Sequence, residues 1–313
     1  MCVGQCVRDV GGGTPECEAK WGGKEAWCSR RTGIERGHVA AEGETTSDMG
    51  IRAAQAALAN AGCSVADVDA IILATSTADL TFPSAATMVQ HGLGMTHGFA
   101  FDVQAVCAGF LFALNTANSM IASGQANRIL VIGAETFSKL MDWTDRGTCV
   151  LFGDGAGAML LAAQQDETSD RGILATALRS DGRYKDILYV DGGVSMQTTG
   201  HLRMQGKEVF RHAVEKLSNT ALEAIDAAGL TTDDVDWIVP HPANQRILEG
   251  MSKRLKGPMD RVVMTVNNHG NTSAAPVPLS LAVAARDKRL TQGHICVTGA
   301  TCWSRCLGPA VVR

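Results

Sequence analysis

Apolar positions along the chain fall into blocks of helical and strand spacing, and the blocks occur twice. Ala57-Leu58-Ala59-Asn60-Ala61 ends at Gly62, an acidic turn Ser64-Val65-Ala66-Asp67 follows, and Ala70-Ile71-Ile72 opens a continuous apolar run. Ala224-Ile225-Asp226-Ala227-Ala228 ends at Gly229, Thr231-Thr232-Asp233-Asp234 follows, and Trp237-Ile238-Val239 opens the matching run. Gly62 and Gly229 are 167 positions apart. Each copy reads as an alanine-rich helix stopped by glycine, a short turn and a buried strand. A duplicated α/β chain places its chemistry where the halves meet. The halves expected here are residues 1–165 and 166–313, joined through the acidic stretch 163–171.

In the first half the pattern predicts helices over 48–61, 85–93 and 108–123, with strands over 70–74, 98–103 and 128–133. Further strands are expected over 148–152 and 158–163. The helix after Cys107 shows Phe110, Leu114, Ala117 and Ile121 on one face and stops at Gly124. The second half repeats the order: helix 212–228, strand 236–240, helix 244–255, strand 261–266, helix 272–286 and strand 294–299. Residues 1–30 carry glycines and cysteines without strand alternation.

A chain of 313 residues can bury a large core. Charged residues make up 19% and the net charge is −4, which gives no nucleic-acid or membrane-surface signature. No apolar run approaches the about 20 residues needed to cross a bilayer. The start lacks the apolar stretch of a signal peptide, so a cytoplasmic protein is expected. Ten cysteines are scattered with no Cys-x-x-Cys pair and no zinc-like His/Cys spacing. They read as reduced, mostly buried thiols, and no metal is expected.

Three residues stand at strand-to-helix turns. Cys107 sits in Gln104-Ala105-Val106-Cys107-Ala108-Gly109-Phe110, where unpaired helix amides favour a thiolate. The small residues after it would let a substrate carbonyl approach the backbone; a buried thiol capping a core helix fits the position equally well. His241, in Pro240-His241-Pro242-Ala243-Asn244, reads alone as a structural histidine. Asn271, in His269-Gly270-Asn271-Thr272-Ser273, reads alone as an N-cap. Together they make a nucleophile with two polar partners. Gly153-Asp154-Gly155-Ala156-Gly157-Ala158 fits a loose dinucleotide pattern, but an apolar strand follows it. A tight hairpin approaching the cysteine is the expected use of its glycines.

This set of motifs resembles the β-ketoacyl-acyl carrier protein synthase III family of the thiolase-like fold. The resemblance covers roughly residues 27–298. It rests on Trp27 with Arg31-Thr32-Gly33-Ile34, Phe82-Pro83-Ser84-Ala85-Ala86, Cys107-Ala108-Gly109-Phe110 and Thr144-Asp145-Arg146-Gly147-Thr148. Phe152 to Ala158, Pro240 to Asn244 and His269 to Ala275 complete it. It implies a duplicated five-layered αβαβα architecture with mixed β-sheets. It also implies a decarboxylative Claisen condensation of a short acyl-CoA with malonyl-acyl carrier protein, initiating fatty acid synthesis, with no cofactor beyond the CoA thioester substrate. Cys107 would carry the acyl group, and His241, as a neutral imidazole, would donate with Asn271 to the malonyl thioester oxygen. Trp27, Arg31 and Arg146 would hold CoA. Asn244 would line the site, and Phe82 would cross a homodimer interface and limit primer length, unless it is ordinary core. Arg246, Arg211 and Lys253 would meet the acidic carrier protein.

Both ends depart from the family pattern. Residues 1–25 lack its opening Gly-x-Gly-x-Tyr-Leu-Pro signature. Thr301-Cys302-Trp303-Ser304-Arg305-Cys306 stands where the family has a glycine triplet supplying an oxyanion amide. A bulky Trp303 there predicts a blocked pocket or a misplaced donor. That motivates two alternatives: an impaired homologue serving as a dimeric scaffold or carrier binder, and a related acyltransferase or specialised-metabolite condensing enzyme.

Overall fold

The computed structural model describes residues 2–6, 32–164, 169–241, 244–255, 259–301 and 306–312. Strand β1 (Cys2–Cys6) precedes helix α1 (Thr46–Ala61), β2 (Ala70–Ala74), α2 (Ala85–Gly92) and β3 (Phe99–Val103). Helix α3 (Gly109–Ala122), β4 (Arg128–Thr136) and β5 (Asp154–Ala162) follow. Short strands β6 (Ile173–Thr176), β7 (Arg179–Ser180), β8 (Leu188–Val190) and β9 (Leu202–Met204) lead to α4 (Gly206–Ala227) and β10 (Trp237–Pro240). The chain continues through α5 (Gln245–Arg254), α6 (Val266–His269), α7 (Pro276–Arg286), β11 (Cys296–Thr301) and β12 (Cys306–Val312).

One sheet has the order β1-β5-β4-β2-β3, a second has β10-β11-β12-β6 with β7 also pairing β12, and β8 and β9 form a two-stranded hairpin. The two larger sheets are mixed: β2 lies parallel to β3 and β4 while β4 and β5 are antiparallel, as β10 and β11 are parallel and β11 and β12 antiparallel. Helices α3 and α7 contact both sheets, α1 and α2 cover the outer face of the first, and α4 covers the second with α5 beside it. The result is five layers. All five residues of β2 are buried, as expected of a strand covered on both faces.

The duplication extends to individual hydrogen bonds. Ser64 forms a capping box with Asp67 and Thr231 forms one with Asp234. Asp69 Oδ2 accepts from the Arg128 amide at 2.9 Å, and Asp236 Oδ2 accepts from the Ile295 amide at 2.8 Å, 167 residues on at both ends. Gly62 and Gly229 stop their helices with φ of 64° and 70°.

Several expectations need correction. Residues 148–152 form a turn, not a strand: Thr148 and Cys149 amides bond back to the Asp145 carbonyl, leaving only a Phe152–Asn271 bridge. The glycines of 153–158 make no hairpin. They lie at the start of β5, where a Cβ on Gly157 would stand 2.9 Å from the Leu279 amide nitrogen, and one on Gly153 would stand 2.9 Å from the His38 carbonyl. Gly157 admits α7 and Gly153 admits the 38–40 segment. Residues 261–266 reach only a single Ile238–Val262 bridge before α6 begins. Cys2–Cys6 forms a strand, antiparallel to β5, despite the patternless N-terminal sequence.

Candidate active site

The two halves touch backbone to backbone at the ends of their central strands. Val106 and Ser273, 167 apart, are both non-glycine residues with positive φ, at 48° and 53°. Each bends the chain sharply ahead of a central helix, and for β-branched Val106 this is a strained conformation of the kind stored at functional sites. The mirrored elbows bring Cys107 to Ser273, two residues past Asn271. Gly109 does not open space for a substrate, as the sequence suggested: a Cβ there would lie 3.2 Å from that of Ala74 and 3.7 Å from that of Ala274. It lets α3 start tight against both halves.

Cys107 is 1% exposed, and its Sγ lies 4.0 Å from Ser273 Oγ, the outer limit for a thiol donating to a hydroxyl. The Ser273 amide donates to Asn271 Oδ1 at 3.0 Å, which fixes the Asn271 carboxamide and leaves its amino group facing away from that contact. His241 is 2% exposed and is anchored by its amide to the Gly299 carbonyl. Burial drives the His241 imidazole down to about 3, opposed by the nearby Asn271 side chain. Among the described residues neither ring nitrogen has a partner with hydrogen-bond geometry, so the Asn271 contact is a proximity rather than a bond. A buried imidazole that is neutral at pH 7 carries one N–H that can donate. The structure thus brings Cys107, Asn271 and His241 into one chain of contacts.

Two residues missed by the sequence reading join them. Glu135, at the end of β4, is fully buried and accepts from Ser273 Oγ at 3.0 Å, from the Ser76 amide at 3.0 Å, and from the Thr77 and Thr75 hydroxyls at 2.5 and 3.3 Å. Burial pushes its carboxyl up to about 7 against those hydrogen bonds. Its signal was a single acid closing the apolar run Ile129 to Ala134. Ser273 was visible only through its register with Val106.

An open cleft of about 1290 Å³ is lined by Cys107, Val106, Phe152, residues 75–81 and the β8–β9 hairpin. Arg203 ties that hairpin down through Asp191 at 2.6 Å and Asp142 at 3.1 Å. A second cavity of about 330 Å³ is lined by Thr32, Arg146, Gly147, Val150, Leu151, Phe210, Asn244 and Arg246. Leu151 faces one cavity and Phe152 the other, so the two approach each other across this turn. Asn244 also caps α5, accepting from the Arg246 amide at 2.9 Å. Arg211 and Lys253 are exposed but do not line the cavity, and Arg211 pairs with Glu208 at 3.3 Å. Phe82 is 81% exposed, which excludes an ordinary core role. Trp27, Arg31 and Trp303 lie outside the described residues. Among the described residues, no His, Cys, Asp and Glu cluster is arranged to hold a metal, and no helix is long and apolar enough to cross a membrane.

Residues 101–182 match the family model for 3-oxoacyl-[acyl-carrier-protein] synthase III, and residues 225–303 match that for its C-terminal part. The chain belongs to this family. It is 65% identical over 300 residues to the β-ketoacyl-[acyl-carrier-protein] synthase III of Ruegeria sp. (strain TM1040), covering 95% of this chain and 93% of that one. Identity to the enzyme of the same name from Cereibacter sphaeroides (strain ATCC 17025) is 59% over the full length of both. Among solved structures, the 3-oxoacyl-[acyl-carrier-protein] synthase III of Aquifex aeolicus superposes with a TM-score of 0.94 at 36% identity, covering 100% of this chain and 98% of that one. The priming β-ketosynthase of the R1128 polyketide pathway superposes at 0.93 with 30% identity, covering 99% and 94%. The thiolase-like fold and the condensing-enzyme class follow for this chain.

Proposed function

We propose that the protein is a β-ketoacyl-acyl carrier protein synthase III that condenses a short acyl-CoA with malonyl-acyl carrier protein and starts fatty acid synthesis. The observation that carries this reading is the pair of mirrored elbows at Val106 and Ser273, with the buried Cys107 thiol of one half 4.0 Å from the hydroxyl of Ser273, whose amide holds the Asn271 carboxamide in the other. Cys107 attacks the acyl-CoA thioester, CoA leaves, and the acyl group stays on sulfur. Malonyl-acyl carrier protein then binds and loses carbon dioxide. Negative charge grows on its thioester oxygen, where His241 and Asn271 donate, and the resulting carbanion attacks the acyl-cysteine. Donors fixed in advance at such a charge contribute on the order of 100- to 1000-fold in rate.

Arg146 and Asn244 hold the CoA arm in the smaller cavity, and the family resemblance assigns Trp27 and Arg31 to CoA as well. Arg246 at its rim, with Arg211 and Lys253 on neighbouring exposed faces, attracts the acidic carrier protein. A second copy covers the exposed Leu80, Phe82, Val194 and Met196, placing Phe82 at the partner's primer site. The test is a product assay with acetyl-, butyryl- and branched-chain acyl-CoA and malonyl-acyl carrier protein. Formation of β-ketoacyl-acyl carrier protein, lost in Cys107→Ala, supports the reading. Carrier binding with no product from any primer supports the impaired scaffold instead, and product on another acceptor supports a specialised condensing enzyme.

A further inference from the structure

We infer that Cys107, Ser273 and Glu135 form a proton relay, in which the Glu135 carboxylate takes the thiol proton as Cys107 is acylated and returns it as the product leaves. The inference rests on the reading of Cys107 as the nucleophile. Three observations carry it. Cys107 Sγ is placed as donor toward Ser273 Oγ at 4.0 Å, and Ser273 Oγ donates onward to Glu135 Oε1 at 3.0 Å. The hydroxyl stands on an elbow of positive φ and is held by its bond to Glu135, between sulfur and carboxylate.

The donor set around Glu135 also suits a group that changes its charge. Asp154, another buried acid of the first half, is held by two backbone amides and one hydroxyl, with Lys139 adding a favourable charge. Glu135 receives one amide, from Ser76, and three hydroxyls, from Thr75, Thr77 and Ser273. An amide can only donate, whereas a hydroxyl turns to donate or accept. The same neighbours therefore fit Glu135 with or without a proton. Those groups face it from the loop after β2 and from the elbow before α7, and no cation pairs with it among the described residues. Beyond Ser273 the titratable neighbours are the Cys107 thiol and, past Asn271, the His241 imidazole. The Glu135 carboxyl is raised by burial to about 7, so at neutral pH it can hold or release a proton. Transfer in either direction is then accessible.

The steps balance. In acylation, the S–H proton passes to Ser273 Oγ while the Ser273 proton passes to Glu135. Sulfur forms its bond to the acyl carbon, and the CoA sulfur leaves as thiolate and takes a proton from water. In condensation, the malonyl carbanion, formed with loss of carbon dioxide, bonds to the acyl carbon and the carbon–sulfur bond to Cys107 breaks. The Cys107 thiolate takes back its proton through Ser273 from Glu135. Nothing is oxidised or reduced, and the enzyme returns to its starting state.

The test is rapid-quench intact mass of wild type, Ser273→Ala and Glu135→Gln with acetyl-CoA from pH 5.5 to 9, with peptide mapping of the adduct. Ser273→Ala removes only the hydroxyl, because its amide still holds Asn271. The wild-type rate is expected to rise through about pH 7. Both variants are expected to be at least ten-fold slower at pH 7, with the rise moved toward the thiol's own range and the wild-type rate approached at pH 9. Should Glu135→Gln fail to fold, Ser273→Ala decides alone. A folded Ser273→Ala enzyme with the wild-type pH profile overturns the relay, as does one slowed equally at every pH. Wild type that forms no adduct on Cys107 overturns the nucleophile reading itself, and the relay with it.

Discussion

Gly133, inside β4, packs directly against the backbone of the other half and offers a demanding test of how they meet. A Cβ at this position would stand 2.4 Å from the Ala274 carbonyl oxygen and 2.9 Å from its carbon. Both are backbone atoms, so no side-chain rotation relieves the clash. To restore ordinary contact near 3.4 Å, the 271–275 elbow must move by about 1 Å relative to β4. That elbow carries Asn271 and Ser273. A displacement of this size costs on the order of 100-fold in a positioned reaction, about 2.7 kcal/mol of transition-state stabilisation. Overpacking adds about 1–3 kcal/mol of lost stability. Gly133→Ala is therefore expected to retain its fold, to lower kcat for condensation about 100-fold, and to lower the urea midpoint. Gly182→Ala, where the added Cβ meets nothing within 4 Å, is the neutral control. A Gly133→Ala enzyme with wild-type kcat and midpoint would refute the claim that the elbow's position against β4 sets the rate.

Two further outcomes follow from the same geometry. The His241 imidazole falls from 6.5 in the unfolded chain to about 3 when folded, so its contribution is present above pH 6.5 and lost as pH falls toward 3. Glu135 rises from 4.5 to about 7, so its contribution is present below pH 4.5 and lost as pH rises through 7. Between pH 7 and 4 the two effects are each about 3 kcal/mol and opposite in sign. Urea midpoints across that range should rise toward acid for His241→Asn and fall toward acid for Glu135→Gln, while wild type changes little; parallel slopes for the two variants would contradict the assignment. Arg246→Glu should raise KM for malonyl-acyl carrier protein about five-fold at low salt, with the difference shrinking as salt screens the contact, and an unchanged KM would remove Arg246 from the docking surface.

The repeat made most of the fold legible. Strand 70–74 and its partner before His241 stand where the apolar blocks placed them, because both are buried on two faces and their turns are fixed by acids at matching positions. Cys107 and His241 follow strand ends as the apolar pattern placed them, whereas Asn271 follows the short helix α6 rather than the strand expected over 261–266. What failed was local. Residues 148–152 are apolar enough for a strand, but Asp145 and its neighbours close a turn there. The glycines of 153–158 answer to α7 and His38, distant in sequence, so no local pattern discloses their use. Glu135 and Ser273 were hidden because a lone acid or serine has no periodicity. Only the meeting of the β4 end with the Ser273 elbow, 138 residues apart, gives them a joint role.

The central claim is that the thiol of one half and the imidazole of the other act on one substrate pair. The most direct measurement is carbon dioxide release from labelled malonyl-acyl carrier protein by enzyme first acetylated with acetyl-CoA, comparing wild type with His241→Ala. Both proteins should carry one acetyl group on Cys107, and the variant should release carbon dioxide about 100- to 1000-fold more slowly. Equal release from the two, or an acetyl group found on another residue, would contradict the account.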